Sequence, residues 1–411
     1  MSDDARLVSV STAHHADAYI ASQKAALAAL GGLGKLSPAW GMAFCGGRLD
    51  PTAAWRGLSE VLPGIPLIGG ATPGIIAAPK VSYTGFECGL ILFAQPLAPI
   101  HIISAQHMSR DPFAAGVFIG EQLQNSITHQ DTIFLTYESM VSGRPALDGG
   151  SQLLRGLQHM LGQKMPRVLG SVLLGDIQVS NTFLFAGQHI AHDMAVAVVF
   201  PPQVQAHTTI LHACYPVSTF LEVTRCEGPL LLELDGRPAL DVLRHTAPNP
   251  GWNQPPPVPS VLATLGQKLG DPFAPYDEAA YVNHMVVGFD PDTGSVAVIE
   301  GDFAPGDQLQ VMARDDRLIH ESVGARTRAL LDSLRGQELV FGLYVDCATR
   351  SSTFTGCDED EADLVLAEFP PDFPLLGWYS AVEIGPVDQS SRPMNWTGVL
   401  SLFSFKEDLY G

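Results

Sequence analysis

Positive charge is scarce in this chain. Across 411 residues, 23 Lys plus Arg stand against 43 Asp plus Glu, a formal net charge of −20 at pH 7. Nonspecific binding to nucleic acid or anionic membranes needs clustered basic residues, and no run of Lys or Arg occurs, so neither is expected as a partner. Cysteine is sparse as well. Cys45, Cys88, Cys214, Cys226, Cys347 and Cys357 are scattered without a CxxC pair, which speaks against a disulfide scaffold and reads as reduced thiols of a cytoplasmic protein. Long apolar runs are missing too: none approaches the roughly 18 residues of a membrane helix. The opening MSDDARLVSV is acidic and has no apolar segment of the secretory kind.

Catalytic signatures are equally thin. GGLGKL at 31–36 resembles a phosphate loop, but counting back from Lys35 puts Ala29 where the first glycine belongs. Leu36 stands where Ser or Thr should be. No GxSxG or HExxH occurs. No enzyme is expected; the remaining catalytic alternative is a hydrolase using Cys347 with an unspecified histidine.

What is present is an apolar fraction of 46%, ample for a core, and a length that suits two or three domains. A short motif also recurs. IPLIGGATPGII (65–76), MPRVLGSVLLGDI (165–177) and FPLLGWYSAVEIGP (373–386) each place a proline before an apolar run and then a glycine, Gly69, Gly170 or Gly377. Gly74-Ile75-Ile76, Gly175-Asp176-Ile177 and Val382-Glu383-Ile384 close the three copies. Upstream of each lies a β-rich run (40–47, 131–139, 338–347), and downstream another (85–93, 193–200, 396–403). Helical patterns fill 51–62 and 151–161. The unit is therefore strand, loop, helix, strand, glycine turn, strand.

This predicts an α/β chain of mixed sheets flanked by helices. Ala-rich 15–30 and the stretch 319–334 read as further helices, and 281–315, with turns at Asp-Pro-Asp-Thr-Gly and Ala-Pro-Gly, as a β-meander. The proline-dense TAPNPGWNQPPPVPS (246–260) marks a boundary. The expected organisation is an N-terminal domain over 1–245 with two units, a linker over 246–276, and a C-terminal domain over 277–411 with the third. In such units ligands gather at strand ends, where loops converge and backbone N–H groups are free.

These residues resemble the FIST family, with its N-terminal and C-terminal sensory domains. PLIGGATPGII is similar to the N-domain signature Gly-Cys-Ser-Thr-Ala-Gly-Glu-Ile, keeping Gly69, Thr72, Gly74 and Ile76 but carrying Gly70, Ala71, Pro73 and Ile75 at the other positions. The segment 212–243 resembles the end of that domain. VDCATR (345–350) resembles the C-domain Cys-x-x-Arg element, GWYSAVEIGP its Gly-aromatic-Tyr-Ser-x-Gly-Glu-Ile-x-Pro turn with Val382 for a glycine, and MNWTGVLSLF its closing strand. The resemblance implies a signal-input protein that binds a small ligand, amino acids among the suggestions, and regulates a histidine kinase or cyclic-di-GMP enzyme. One branch of similar length consists of haem proteins that sense nitric oxide.

The residues carried over are Cys347 and Arg350, Tyr379, Ser380 and Glu383, and Asn395, with Thr72 and Asp176 as the matching positions of the other copies. Arg beside a thiol favours thiolate and also clamps a carboxylate, so Arg350 and Glu383 together would suit a zwitterion. Glu383 alternatively caps its turn. If haem binds, the axial ligand would be a His, Cys, Met or Tyr. Of the thirteen histidines, His189 and His192, three apart and so not aligned on one strand face, and His284 beside Met285 are the pairs to name, each of which reads first as a loop or surface residue. The absence of CxxCH excludes covalent c-type haem.

Overall fold

The computed structural model describes residues 6–406 except 80, 139, 142–143, 146, 177–181, 254–260, 315, 358 and 389. Local signals start its helices, including Pro112–Leu123, a helix beyond those expected from the sequence. Asp17, Asp50 and Asp111 cap Ala18–Gly32, Pro51–Val61 and Pro112–Leu123 by accepting from backbone N–H groups three residues on, and two of these helices begin with proline. The result is a mixed α/β molecule of several sheets flanked by helices.

The repeat is a structural unit, and it begins earlier than its motif. In the first unit the strands are Val8–His14 (edge), Pro38–Gly46 (central), Leu67–Thr72 (inner), Ile75–Ile76 and Glu87–Ala94 (return). The second places His101–Gln106, Thr132–Glu138, Arg167–Leu173, Leu184–Gly187 and Met194–Val199 in those roles. The third uses Val204–Leu211, Leu339–Cys347, Leu375–Ser380, Glu383–Val387 and Gly398–Phe405. In every unit the central strand runs parallel to the inner one and antiparallel to the return strand, which in turn pairs with the edge strand.

The short strand after each glycine turn leaves its own unit. Ile75–Ile76 completes the third unit's sheet, Leu184–Gly187 the first's, and Glu383–Val387 the second's. This cyclic exchange sets the register Trp378↔Ile75, Gly70↔Leu184 and Ser171↔Glu383. Leu184, not Asp176, is therefore the counterpart of Ile75 and Glu383. The second copy carries a longer connection between its glycine turn and its exported strand, and the register expected from Asp176 shifts accordingly. Ile177 of that motif lies outside the described residues. One apolar core is shared between the three sheets, with Phe44 stacked on Trp378 at 3.8 Å and Phe134 set edge-on to it.

Between the third unit's edge strand and its helix Asp316–Ser333 the chain builds an eight-stranded antiparallel sheet from residues 214–314. Strand Gln308–Arg314 pairs with both Leu221–Glu227 and Ala263–Lys268, so the sheet closes on itself. Helix Ala239–Thr246 and Trp252 fill its apolar core. The meander expected over 281–315 is part of this barrel. The stretch 246–276, expected as a linker, contributes the barrel strand Ala263–Lys268 and the Trp252 anchor; its residues 254–260 lie outside the described residues. The barrel docks through Glu300, whose carboxylate accepts from the Gly150 and Ser151 N–H groups (2.8 and 2.7 Å) and from Tyr137 (3.0 Å).

The recurring glycines have a common steric cause. A Cβ on Gly69, Gly170 or Gly377 would lie 2.2, 2.3 or 2.6 Å from the carbonyl oxygen of Ala43, Leu135 or Tyr344 on the adjoining central strand. Gly69 in addition has φ +116°. Replacing Gly170 or Gly377 by alanine is expected to cost about 1–3 kcal/mol by overpacking, and Gly69→Ala more. Chemical denaturation measures this, and unchanged midpoints would remove the close-approach account.

Candidate functional site

The third unit's central strand, its glycine turn and the residues before its return strand meet at one corner. Trp396 takes a left-handed conformation, φ 51°, and bends the segment Asn395–Thr397 around the end of strand Leu339–Cys347. From that bend the Asn395 N–H donates to the Asn283 carbonyl (2.8 Å) and the Asn395 amide oxygen accepts from Met285 N–H (3.1 Å), tying the barrel to the corner. The backbone N–H groups of Trp396 and Thr397 act to lower the proton affinities of Cys347 and Glu383 respectively. Ser380 donates to Glu383 Oε1 at 2.6 Å. Thr349 bridges the sulfurs of Cys347 (3.1 Å) and Met285 (3.8 Å).

Glu383, Asn395 and Asn283 are fully enclosed, yet Glu383 Oε2, Asn395 Nδ2 and both amide atoms of Asn283 have no hydrogen-bond partner among the described residues. Ser171 Oγ, on the residue paired with Glu383, has none either. Burial drives the Glu383 carboxyl well above the usual carboxylate range; Asp346 adds to this, while Ser380, Arg350 and the Thr397 N–H oppose it. Burial, and then Glu383, likewise push the Cys347 thiol up. The corner is thus a set of neutral donors and acceptors around a carboxyl whose proton affinity burial raises.

Arg350 serves another purpose. Its Nε lies 2.7 Å from Asp346, its Nη2 2.7 Å from Glu361, and its Nη1 donates to the Trp396 carbonyl at 3.2 Å. Glu361 in turn receives Arg314 through two bonds of 2.8 and 2.7 Å. Burial lowers the proton affinity of Arg350, but Glu361 and Asp346 outweigh it and hold the guanidinium charged. Asp346 precedes Cys347 on one strand, so their side chains take opposite faces. The expected reactive thiolate and the expected carboxylate clamp are both corrected: Cys347 is buried away from the guanidinium, and Arg350 is committed to a buried ion network.

Residues 39–237 match the FIST N domain and residues 239–386 the FIST C domain. The chain belongs to the FIST family. FIST domains are sensory domains of signal-transduction proteins. An uncharacterized protein of Mycobacterium tuberculosis is 25% identical over 242 residues, covering 57% of this chain and 60% of that protein. One of Mycobacterium bovis is 26% identical over 244 residues with the same coverage. The chain thus spans about 60% of the length of these curated relatives. A crystal structure of cyanuric acid hydrolase from A. caulinodans matches at 11% identity and a TM-score of 0.24, over 48% of this chain and 72% of that one, too distant to carry an argument.

Of the residues carried over from the FIST pattern, Cys347, Ser380, Glu383 and Asn395 come together at the corner, with Arg350 behind it. Tyr379 faces away from it: its hydroxyl donates to Asp360 (2.6 Å), which also takes the Tyr83 hydroxyl. Thr72 is spent on the carbonyls of Tyr379 (2.9 Å) and Gly74 (2.8 Å), fastening the first glycine turn to the third unit. Asp176 sits elsewhere, next to Gly175, which packs on Gly47 at the end of the first unit's central strand. Among the histidines, His189 and His192 are exposed, and His192 bonds Glu138 at 3.1 Å. His284 is buried on strand Tyr281–Asp290, whose alternation puts Met285 on the other face, so the two cannot share one iron. Sequence reasoning missed Asn283, Ser171 and Thr349; nothing in their local pattern separates them from other polar strand or loop residues.

Removing one member of a buried ion network costs about 3–5 kcal/mol. Arg350→Met is therefore expected to lower unfolding free energy by that amount, and a loss below about 1 kcal/mol would show that the network carries little stability. Glu383 gives a pH test. Its folded pKa lies above the ordinary 4.5, so its contribution is complete below that pH and declines as pH rises through the folded value. Glu383→Gln has no such proton, and its stability should fall less than the wild type's between pH 5 and 8 in urea titrations. Parallel pH profiles for the two proteins would contradict the assignment.

Proposed function

We propose that this chain is a cytoplasmic signal-input protein that encloses a small polar metabolite, amino acids included, at the Asn395–Thr397 corner. It then sets the activity of a separate signalling partner, a histidine kinase or cyclic-di-GMP enzyme. The carrying observation is the convergence of enclosed, unpartnered polar atoms on Glu383, Asn395, Asn283 and Ser171. Buried polar groups are normally hydrogen-bonded, and a concentration of exceptions marks a place where a further molecule completes the network. A ligand amine beside Glu383 would draw off its proton, and the amides of Asn283 and Asn395 would take hydroxyl or carboxylate groups. Because Ser171, Glu383 and Asn283 come from the second unit, the third unit and the barrel, such a ligand favours the arrangement in which all three are close. That differential affinity is what a sensor requires. A thiol held protonated supports binding rather than cysteine catalysis. No described helix is long and apolar enough to cross a membrane.

Thermal unfolding against a panel of amino acids and related metabolites tests this. A specific compound should raise Tm in proportion to the logarithm of its excess, and Glu383→Gln and Asn395→Ala should weaken the shift about tenfold or more in concentration. A flat response across the panel would count against the reading.

Haem is the second reading, and His284 is what favours it. Its Nδ1 lies 3.4 Å from the Ile299 carbonyl, its Nε2 has no protein partner, and it borders the cavity described below. The charged lining of that cavity suits a macrocycle less well than a small ion, which places haem second. A Soret band on haem addition that shifts with nitric oxide and disappears in His284→Ala would reverse the order.

A further inference from the structure

A cavity of about 480 Å³ lies on the other face of strand Tyr281–Asp290 from the corner. Val282 and His284 line it, while Asn283 and Met285, one residue out of phase, face the corner. None of the corner residues borders it. Its walls come from helix Gly149–Leu161 and the start of strand Arg167–Leu173 in the second unit, from the 386–393 hairpin of the third, and from the barrel. The volume falls in the range of small-molecule sites, about 300–1,000 Å³.

The charges are what distinguish it. In a chain with only 23 basic residues and a net charge of −20, Arg155, Arg167 and Arg392 converge here. Arg155 is balanced by Asp302 at 3.2 Å and stands more than half exposed at the rim. Arg167 and Arg392 have no ion-pair partner among the described residues: Arg167 donates to the Ala206 carbonyl and Arg392 to the Ser390 hydroxyl at 3.2 Å. Asp388 and Glu300 also border the space, but the Glu300 carboxylate is occupied by the helix N-terminus and Tyr137. Arg167 is exposed at the start of its strand, so its guanidinium is open to the cavity and to solvent.

His284 supplies the second, independent element. It is 3% exposed, its ring packs edge-on to Phe303, it is among the residues that line the cavity, and its Nε2 has no protein partner among the described residues. Burial keeps the imidazole neutral, down to about 4, with the Ile299 carbonyl opposing and Arg392 assisting. With Nδ1–H directed at Ile299, Nε2 is a bare acceptor. It asks for a hydroxyl or N–H from whatever the arginines hold.

We propose that this cavity is a second ligand site, for a small carboxylate- or phosphate-bearing metabolite that carries a hydroxyl beside its anionic group. Arg167 and Arg392 hold the anion, and His284 Nε2 accepts from the hydroxyl. The site needs no ligand at the corner and stands whether or not the corner binds one.

Calorimetric titration of the full chain at fixed ionic strength tests it, using malate, succinate and glycerol 3-phosphate as probes. Malate or glycerol 3-phosphate should bind, and which one does so identifies the anionic group. Malate should exceed succinate, which lacks the hydroxyl, by about tenfold, the worth of one hydrogen bond left unmade. Arg392→Gln and Arg167→Gln should each weaken binding by about tenfold or more, with unchanged circular dichroism; Arg392, bonded only to a neighbouring serine, remains informative if the Arg167 variant misfolds. Glu383→Gln should leave binding intact. No heat with any probe at about 10 mM, well above ordinary metabolite affinities, would overturn the proposal. So would equal binding by wild type and Arg392→Gln.

Discussion

Reciprocal strand donation is the constraint on which the rest of the molecule depends. Each unit lacks the last strand of its own sheet and receives it from another, so no unit completes its hydrogen bonding alone. A two-residue strand such as Ile75–Ile76 has no stability in isolation; it persists because Thr72 ahead of it is fastened to the Tyr379 carbonyl and because Ile75 and Ile76 pair with Trp378 and Gly377. The exchange forces the three glycine turns together at the centre, and the inner strands can approach the central strands there only without a Cβ. A common core follows from that geometry, with aromatic rings from different units in direct contact.

The unit itself was legible because its signals are local. Apolar runs bounded by proline and glycine, and Asp-Pro helix starts, need no knowledge of the partner strand. Where the exported strand goes was not legible, since two or three apolar residues carry no period and any sheet edge could accept them. The insertion in the second copy hid the equivalence of Leu184 in the same way: aligning by residue type placed Asp176 where the backbone places an apolar side chain. The edge strand Val204–Leu211 alternates weakly, with His207, Thr208 and Thr209 in succession, and the barrel strand ATLGQK offers only one fully apolar inward position, Leu265. Proximity to a proline-rich stretch made the latter look like a linker.

The site divides along a similar line. Glu383, Ser380 and Asn395 could be singled out through the resemblance to the family's turn and closing-strand motifs, and Glu383 also as a carboxylate after a buried run. Their depth could not be foreseen, because exposure at a strand end depends on what covers it, and here the cover is a barrel inserted far upstream in the chain. Arg350 shows the opposite error. Its spacing from Asp346 was visible in the sequence, but the decisive partner, Glu361 held by Arg314, comes from a helix and a barrel strand that the pattern did not join to it. An arginine flanked by two buried carboxylates is already charge-balanced, so an anionic ligand gains little from it.

Polar chemistry appears where the threefold pattern breaks. At the three equivalent exported positions stand Ile75, Leu184 and Glu383, two apolar and one acidic. The carboxyl occurs only in the unit interrupted by the barrel, and the barrel supplies the amide of Asn283 beside it. The same strand that brings Asn283 to the corner brings His284 to the arginine-lined cavity, one residue later and on the other face. A shift of that strand along or across the sheet moves both residues at once, because a packed strand translates as a rigid element. Two occupants on opposite faces of one strand would therefore act on the same displacement, and any preference of either for one strand position becomes a coupling between them. The barrel is thereby more than a lid: like strand Arg167–Leu173, which carries both Arg167 and Ser171, it touches both sets of unpartnered groups.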